Sequence, residues 1–351
     1  MRRSFIMIPF VVLLLLSTSS LVYGDRGMIP IVPEVSVYEP GQKAIIAWNG
    51  TEEILILSTD VTSSGETLVL EMLPLPSNPE KIELASFESF QEVQRLIWKH
   101  VPTPTPGEFG KGDVRGVEVV FHEKIGAHDI TVVKASDTSE IVEWMKKFLR
   151  ENGVDQEVSL GNFEFVVGDY MARGFRFYVL DLIEVSPEQN SVEPILYEFE
   201  SSFLYYPVEI TSPLGGETEI TLFLLTEGVI EDDYHSFRKA NYRTPEGWET
   251  IEFKLSNGEL SEIDLRIGEM FQGDAWLTAL SYEGSLNALT RDLTISEEAI
   301  TPARDIINVE VAMPFDLVIL LVITGMMCTL VGVVFTFLIM RSKWRTETHK
   351  K

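Results

Sequence analysis

The chain has 351 residues, of which 54 are acidic and 28 are basic, so its formal net charge is −26 at pH 7. A surface this acidic repels nucleic acid, and no nucleic acid partner is expected. The single cysteine, Cys328, excludes a disulfide within the chain, and thiol catalysis and cysteine metal sites are excluded from the rest of the chain.

Residues 1–24 have the composition of a signal peptide. Two arginines follow the first methionine, an apolar core runs over residues 5–16, and small residues precede a predicted cleavage before Asp25. The core is too short to span about 30 Å of hydrocarbon. An uncleaved signal anchor is the alternative, because residues 17–23 could extend the helix.

Residues 44–57, AIIAWNGTEEILIL, are two apolar runs joined by Asn49 and Gly50. Asn-Gly supplies the two positive-φ residues of a type I′ turn, so a hairpin with this pair at its centre is predicted. Thr51 completes the only Asn-x-Ser/Thr match in the chain. Outside the membrane, Asn49 is therefore a candidate glycan acceptor as well.

Short helices and further strands follow the hairpin. Prolines at positions 74, 76 and 79 argue against a central strand there. The next elements predicted in chain order are a helix over 86–98 with Ser89 and Glu92 as capping box, a Pro- and Gly-rich loop over 101–113, a helix over 141–150 opened by Asp137 and Glu140, and a helix over 163–171 stopped by Gly174.

From Arg176 onward the pattern returns to strands. These elements predict an α+β extracytoplasmic domain over residues 25–312, strand-rich and largely antiparallel, with a few short helices. A division into two subdomains near residues 186–194 is an alternative to one undivided domain.

Residues 317–340 carry no charge and predict one C-terminal transmembrane helix, about 36 Å long at 1.5 Å per residue. The tail, residues 341–351, is basic and is therefore expected in the cytoplasm. The chain is thus predicted to be a single-pass plasma membrane protein whose partner is the lipid bilayer. A buried core helix is the alternative interpretation.

Small residues recur on one face of that predicted span. They stand four, three and four residues apart, at Gly325, Thr329, Gly332 and Thr336. Small side chains let helix backbones approach closely in lipid, so this face predicts packing against another membrane or envelope protein. The alternative is that Gly and Thr are simply common in spans.

Five segments follow one another in an order that resembles an uncharacterised extracytoplasmic family, domain of unknown function 2330. They are QKAIIAWNGTEEILIL, LPLPSNPEKIELASFESFQEV, IGAHDITVVKASDTSEIVEWMKKFLRENG, YMARGFRFYVLDLIEV and YEFESSFLYYPVEIT. The resemblance covers most of residues 27 to about 300 and implies one fold and an extracytoplasmic location, with no known activity. Many members begin with a Cys-Gly-Gly-type segment, whereas this chain has DRGMIPIVPEV.

The segment FHEKIGAH, residues 121–128, contains candidate metal ligands. A helical zinc motif needs histidines at i and i+4, whereas His122 and His128 are six residues apart. In a hairpin, these histidines could converge with Glu123 and Asp129 on a metal. Ordinary polar residues at strand ends are the preferred interpretation, so no metal or cofactor is expected.

Two other segments have both a binding and a structural interpretation. The acidic stretch VIEDDYHS, residues 229–236, is either a loose calcium site or, as we prefer, a solvated turn. The aromatic run of Phe199, Phe203, Tyr205 and Tyr206 either binds sugars or a partner strand, or lies in the core, as is usual at strand spacing. Serine nucleophile elbows and phosphate loops are not found in the sequence.

Two functions are consistent with these patterns. The preferred one is a membrane-anchored binding or structural module of the cell envelope. The alternative is an extracytoplasmic hydrolase whose carboxylates assemble only in the fold. A cleft holding carboxyl groups with raised pKa values would favour the hydrolase.

Overall fold

The structure is a computed structural model that describes residues 29–30, 37–101, 114–115, 128–151, 154, 163–187, 193–213, 216–231, 234–245 and 247–302. The α-helices within these residues are short. They are α1 (Phe87–His100), α2 (Thr138–Glu151), α3 (Phe163–Ala172), α4 (Asn257–Ile263) and α5 (Leu265–Met270).

About half of the described residues lie in β-strands. The strands are β1 (Ile29–Pro30), β2 (Val37–Trp48), β3 (Glu52–Ser63), β4 (Thr67–Leu75), β5 (Lys81–Leu84), β6 (Val114–Arg115), β7 (His128–Lys134), β8 (Phe177–Val185), β9 (Ile195–Glu200), β10 (Phe203–Tyr206), β11 (Glu217–Thr226), β12 (Gly228–Ile230), β13 (Arg238–Lys239), β14 (Asn241–Thr244), β15 (Gly247–Thr250), β16 (Glu252–Leu255), β17 (Ala275–Ser285), β18 (Leu293–Ser296) and β19 (Ile300–Pro302). The prediction of a strand-rich α+β fold with few short helices is confirmed.

The central sheet has the strand order β13-β17-β11-β2-β3-β9-β5, and β16 also pairs with β17. Among the described strands, β2 and β11 form a parallel pair, and the other pairs are antiparallel. Strands from both sides of residues 186–194 lie in this one sheet, because β3 pairs with β9.

A second sheet has the order β1-β4-β8-β7. Smaller sheets are formed by β10 with β18, by β12 with β19, and by the order β15-β14-β6. The β12–β19 pair joins Ile300–Pro302, the last described strand, to the segment that follows β11 directly.

Both faces of the central sheet are covered by apolar side chains. Successive side chains of a strand point to opposite faces. Along β2, Ile45 and Ala47 pack in one buried cluster with α1, α4 and α5. Ala44 and Ile46 belong to a second cluster, which holds α2, α3 and the apolar residues of β4 and β8. The core therefore lies on both sides of β2, and the sheet is the middle layer.

Local signals set two of the predicted helices. The carboxylate of Asp137 accepts the N–H groups of Ser139 and Glu140 and so caps α2. Helix α3 is followed by Gly174, whose φ of +100° suits a glycine after a helix end. Both predictions are confirmed.

The predicted capping box of the first helix is wrong. Ser86 is the N-cap of α1, and its Oγ accepts the N–H of Glu88 at 3.1 Å. Ser89 lies inside the helix and is buried, while Glu92 pairs with Arg95. The helix begins a turn earlier than the box implied because Ser86 already satisfies an N-terminal amide.

The hairpin between β2 and β3 is confirmed, but its centre is one residue later than predicted. Asn49 donates its N–H to the carbonyl of Glu52 at 3.2 Å, so Gly50 and Thr51 are the central residues. Gly50 has φ +98°, and His235 is the one non-glycine described with positive φ, so the type I′ prediction is wrong. Glycine at the first central position is the type II′ pattern.

The side chain of Asn49 explains this shift. Its Oδ1 accepts the N–H of Thr51 at 3.0 Å and the N–H of Glu52 at 2.9 Å. An Asn side chain that takes the turn amides in this way stands before the turn rather than at its centre.

Pro74 lies in β4, opposite Tyr178 of β8. On the other side of β4, β1 pairs only with Val69 and Leu70 and does not reach Pro74. The missing N–H of Pro74 is tolerated because, among the described strands, only β8 flanks it. The expected break comes after Leu75, where β4 ends.

Several predicted segments lie outside the described residues. They are the signal peptide over 1–24, the span over 317–340 with Gly325, Thr329, Gly332 and Thr336, the tail over 341–351, and most of the loop over 101–113. Among the helices that the structure describes, none is long and apolar enough to cross a membrane.

Candidate functional site

Ionisable side chains, some buried and some partly exposed, gather where the end of α3 meets β10 and the residues before β18. We call them the Arg173 network. Its members are Glu53, Tyr170, Arg173, Tyr205, Glu209 and Asp292. They come from distant parts of the chain, so the network forms only when the fold is complete.

Asp292 is the centre of the network and is only 3% exposed. Its Oδ1 accepts the hydroxyl of Tyr170 at 2.6 Å and the N–H of Glu209 at 3.0 Å. Its Oδ2 accepts Nη1 of Arg173 at 3.0 Å. Both oxygens of this buried carboxyl are therefore hydrogen-bonded by the protein itself, as burial of a charged group requires.

Tyr170 lies in the last turn of α3, and Arg173 directly follows the helix, with its N–H still donating to the Asp169 carbonyl at 3.0 Å. The two side chains, three residues apart, therefore lie on the same side. The guanidinium lies 4.3 Å from the centre of the Tyr170 ring and 2.6 Å from Oε2 of Glu209. Its Nε is 2.8 Å from Oδ2 of Asp169. Arg173 thus joins three carboxylates and an aromatic ring, the geometry that a planar guanidinium favours.

Burial changes the acidity of these carboxyl groups. It raises the pKa of Glu209 to about 7, although Arg173 opposes the rise. It also raises the pKa of Asp292, against the lowering effects of Tyr170, the Glu209 N–H and Arg173. Burial therefore brings the pKa of Glu209 near neutral pH.

Glu53 and Tyr205 continue the network into the core. Oε2 of Glu53 accepts the N–H of Tyr205 at 2.7 Å, and the hydroxyl of Tyr205 donates to the carbonyl of Pro74 at 3.2 Å. Glu53 is fully buried, and burial raises its pKa well above the usual value despite the Tyr205 hydrogen bond. A neutral carboxylic acid is the form that burial favours at this position.

The network can cross-link elements and take up a proton. A general acid or base must reach its substrate, and the accessible members are Arg173 and Glu209, whose side chains are 35% and 16% exposed. A substrate reaching Asp292 would have to displace Arg173. As it stands, the arrangement holds α3 to the 3-10 turn at Glu209–Thr211.

Outside the Arg173 network, a buried His–Asp pair lies on the sheet that contains β4, β8 and β7. Nδ1 of His128 is 2.6 Å from Oδ2 of Asp181, and the two side chains are 4% and 2% exposed. Asp181 stands directly across from Glu71 of β4, which is also buried. This pair joins β7 to β8 by side chains as well as by backbone hydrogen bonds.

The structure places His128, one of the four metal candidates, in this pair. His122 and Glu123 lie outside the described residues, as does the side chain of Asp129. Within the described ranges, no three His, Cys, Asp or Glu side chains are arranged to hold a metal ion. In the acidic segment, residues 232–233 are likewise not described.

The aromatic run lies in the core, as preferred. Phe199, Tyr205 and Tyr206 are at most 1% exposed, and Phe203 packs against the same apolar cluster. Protein therefore covers the rings of Phe199, Tyr205 and Tyr206, which argues against sugar binding by these three residues, whereas Phe203 is partly exposed. Asn49 stands at the exposed hairpin tip.

The sequence patterns did not reveal the Arg173 network. Arg173 and Asp292 are 119 residues apart, and Asp292 directly follows Arg291, so nothing local in the sequence links Asp292 to Arg173. Such a charge at the end of a helix or before a strand is usually solvated. The sequence does place Asp292 immediately before Leu293, which is buried. That position gives no indication of which residue pairs with Asp292.

No protein-family model matches the chain, and no curated protein matches it. The resemblance to domain of unknown function 2330 therefore stays a prediction. Solved structures with some similarity include baculovirus P35, at 8% identity and TM-score 0.42, covering 76% of this chain and 97% of that chain. A mutated baculovirus P35 after caspase cleavage has 9% identity and TM-score 0.34, covering 74% and 99%. The caspase-8/P35 complex has 7% identity and TM-score 0.34, covering 73% and 96%. Similarities this distant do not bear on function.

Proposed function

We propose that the chain is a membrane-anchored extracytoplasmic binding or structural module of the cell envelope. The observation that carries this proposal is how the protein uses its carboxyl groups of raised pKa. Asp292 is bound by Tyr170, Arg173 and the Glu209 N–H, and Glu53 by the N–H of Tyr205. These carboxyl groups are hydrogen-bonded within the fold, as expected of a domain that acts through its surface.

The anchor is the C-terminal span proposed from residues 317–340, with the lipid bilayer as its partner. The last described strand, β19, ends at Pro302, ahead of that segment. The stripe of Gly325, Thr329, Gly332 and Thr336 would pack against another membrane protein. On this proposal the acidic domain lies outside and the basic tail inside.

Fractionation tests the anchor and the side of the membrane. We expect the full chain to stay with membranes after alkaline extraction, and external protease to remove the domain while sparing the tail. A variant ending at Ala303 should be released in soluble form. Recovery of the full chain in the soluble fraction would contradict the proposal.

Cross-linking in intact membranes, followed by pull-down and mass spectrometry, tests the partner. Replacing Gly325 and Gly332 with Leu should reduce the cross-linked product. The matched control replaces Met327 and Val334 with Leu, because that pair has the same spacing on the opposite helix face. Equal loss in both double variants would reject the stripe as the interface.

Glu209 favours the second candidate, an extracytoplasmic hydrolase. Its pKa of about 7 suits a general acid, and its side chain is partly exposed. On this alternative, Glu209→Gln abolishes turnover of an envelope substrate by the purified chain. Unchanged turnover in that variant would exclude Glu209 as the general acid, and absence of turnover by the unchanged chain would leave the binding module as the better proposal.

A further inference from the structure

The hairpin tip between β2 and β3 combines a modification motif with an ordered side-chain arrangement. Oδ1 of Asn49 accepts three hydrogen bonds, from the Thr51 N–H at 3.0 Å, the Thr51 hydroxyl at 3.1 Å and the Glu52 N–H at 2.9 Å. The carboxamide is therefore fixed by its oxygen. Its Nδ2 has a single long contact, 3.5 Å from Oε2 of Glu52, and the contact is exposed to solvent.

We propose that Asn49 is an acceptor for N-linked oligosaccharide. The inference rests on the extracytoplasmic location in the proposed function, since the transferases act outside the cytoplasm. The donor is a lipid-pyrophosphate-linked oligosaccharide. A bond forms between Nδ2 and the anomeric carbon of the sugar, the bond from that carbon to the pyrophosphate oxygen breaks, and the lipid pyrophosphate leaves. Nδ2 gives up one proton to a base of the transferase.

The structure holds all three parts of the motif at the surface. Thr51 is exposed, and its hydroxyl already contacts the Asn49 carboxamide. No side chain fills the space around Gly50, where an added Cβ would meet nothing within 4 Å. The acceptor nitrogen is thus reachable without unfolding of the hairpin.

The tip is also firmly attached to the domain. The carbonyl of Thr51 accepts the N–H of Ser201 at 2.9 Å, and Nε1 of Trp48 donates to the carbonyl of Ser201 at 2.9 Å. Glu52 stands across from Glu200 of β9. A glycan on Asn49 would therefore shield this acidic end of the central sheet, and partners would bind elsewhere on the domain.

Two matched variants separate the motif from the turn. Thr51→Ala removes the motif but keeps both backbone hydrogen bonds to Asn49, so the hairpin should fold. Thr51→Ser keeps the motif. The full chain is produced in cells whose secretory pathway glycosylates Asn-x-Ser/Thr, and gel mobility is measured before and after treatment with a glycan-releasing amidase.

We expect one amidase-sensitive shift in the wild type and in Thr51→Ser, and none in Thr51→Ala. Peptide mass spectrometry should place the sugar on Asn49. A second acceptor motif serves as the control for export: Gln272→Asn with Asp274→Thr, in the exposed turn before β17, on the Thr51→Ala background.

The control distinguishes two failures. If the control motif is glycosylated in its variant but Asn49 is unmodified in the wild type, this inference is overturned and the extracytoplasmic proposal stands. Absence of sugar from both motifs would overturn the inference together with the proposed location.

Discussion

Gly228 of β12 lies so close to β19 that a single added methyl group should separate the two strands. An ideal Cβ at this position would stand 2.6 Å from the carbonyl carbon of Thr301, and still closer to its oxygen. Real Cβ atoms essentially never approach below 3.0 Å, so the carbonyl oxygen of Thr301 must retreat by about 1 Å. Backbone cannot turn away as a flexible side chain can.

For Gly228→Ala we expect the free energy of unfolding to fall by about 1–3 kcal/mol, the usual range for overpacking in a packed site. Urea unfolding of the detergent-solubilised chain measures this change. Hydrogen exchange should also accelerate at Glu231, whose N–H donates to the carbonyl of Ala299 at 2.8 Å beside the strained pair.

Gly258→Ala is the matched control. Gly258 lies in helix α4, and an added Cβ there would meet nothing within 4 Å. Since Ala favours helix over Gly, this variant should gain about 0.5–1 kcal/mol. Equal gains in the two variants would refute the close approach of β12 to β19.

Three further predictions concern charged groups. Arg173→Met leaves Asp292 without its cation, and we expect a loss of about 2–4 kcal/mol in urea unfolding, since Arg173 is partly exposed and Asp292 can protonate. The same change at the exposed Arg95 should lower the urea midpoint far less. The free energy of unfolding should fall as pH rises from 4.5 to about 7, because folded Glu209 keeps a proton that the unfolded chain releases; Glu209→Gln should flatten that part of the measured profile. A chelator should leave the melting temperature unchanged, and a decrease abolished by His128→Ala would contradict this expectation.

Local signals carried the parts of the fold that the sequence predicted well. Asp137 caps α2 and Gly174 follows α3 because capping and positive φ depend only on neighbouring residues. The hairpin was found for the same reason. The centre of the turn differs from the prediction because the Asn49 side chain accepts the N–H groups of the turn. The preference of Asn-Gly for positive φ does not take this side-chain hydrogen bonding into account.

The candidate site depended on contacts that no local pattern records. Tyr170 and Asp292 are 122 residues apart, and Glu53 meets Tyr205 across 152 residues. A charged residue beside a turn is usually solvated, yet Glu53 is fully buried. Its position follows from the packing of β10 against the hairpin end, which only the tertiary fold determines.

The parallel pairing of β2 with β11 constrains the order in which the chain can fold. Ile46 stands beside Leu224, so the side of β2 away from β3 stays open until about 180 more residues have been made. During synthesis the β2–β3 hairpin therefore has an apolar, unpaired edge until β11 is made. Unpaired edges of this kind promote aggregation. We expect refolding to be limited by the arrival of β11, and chains that end before residue 217 to need chaperones to stay soluble.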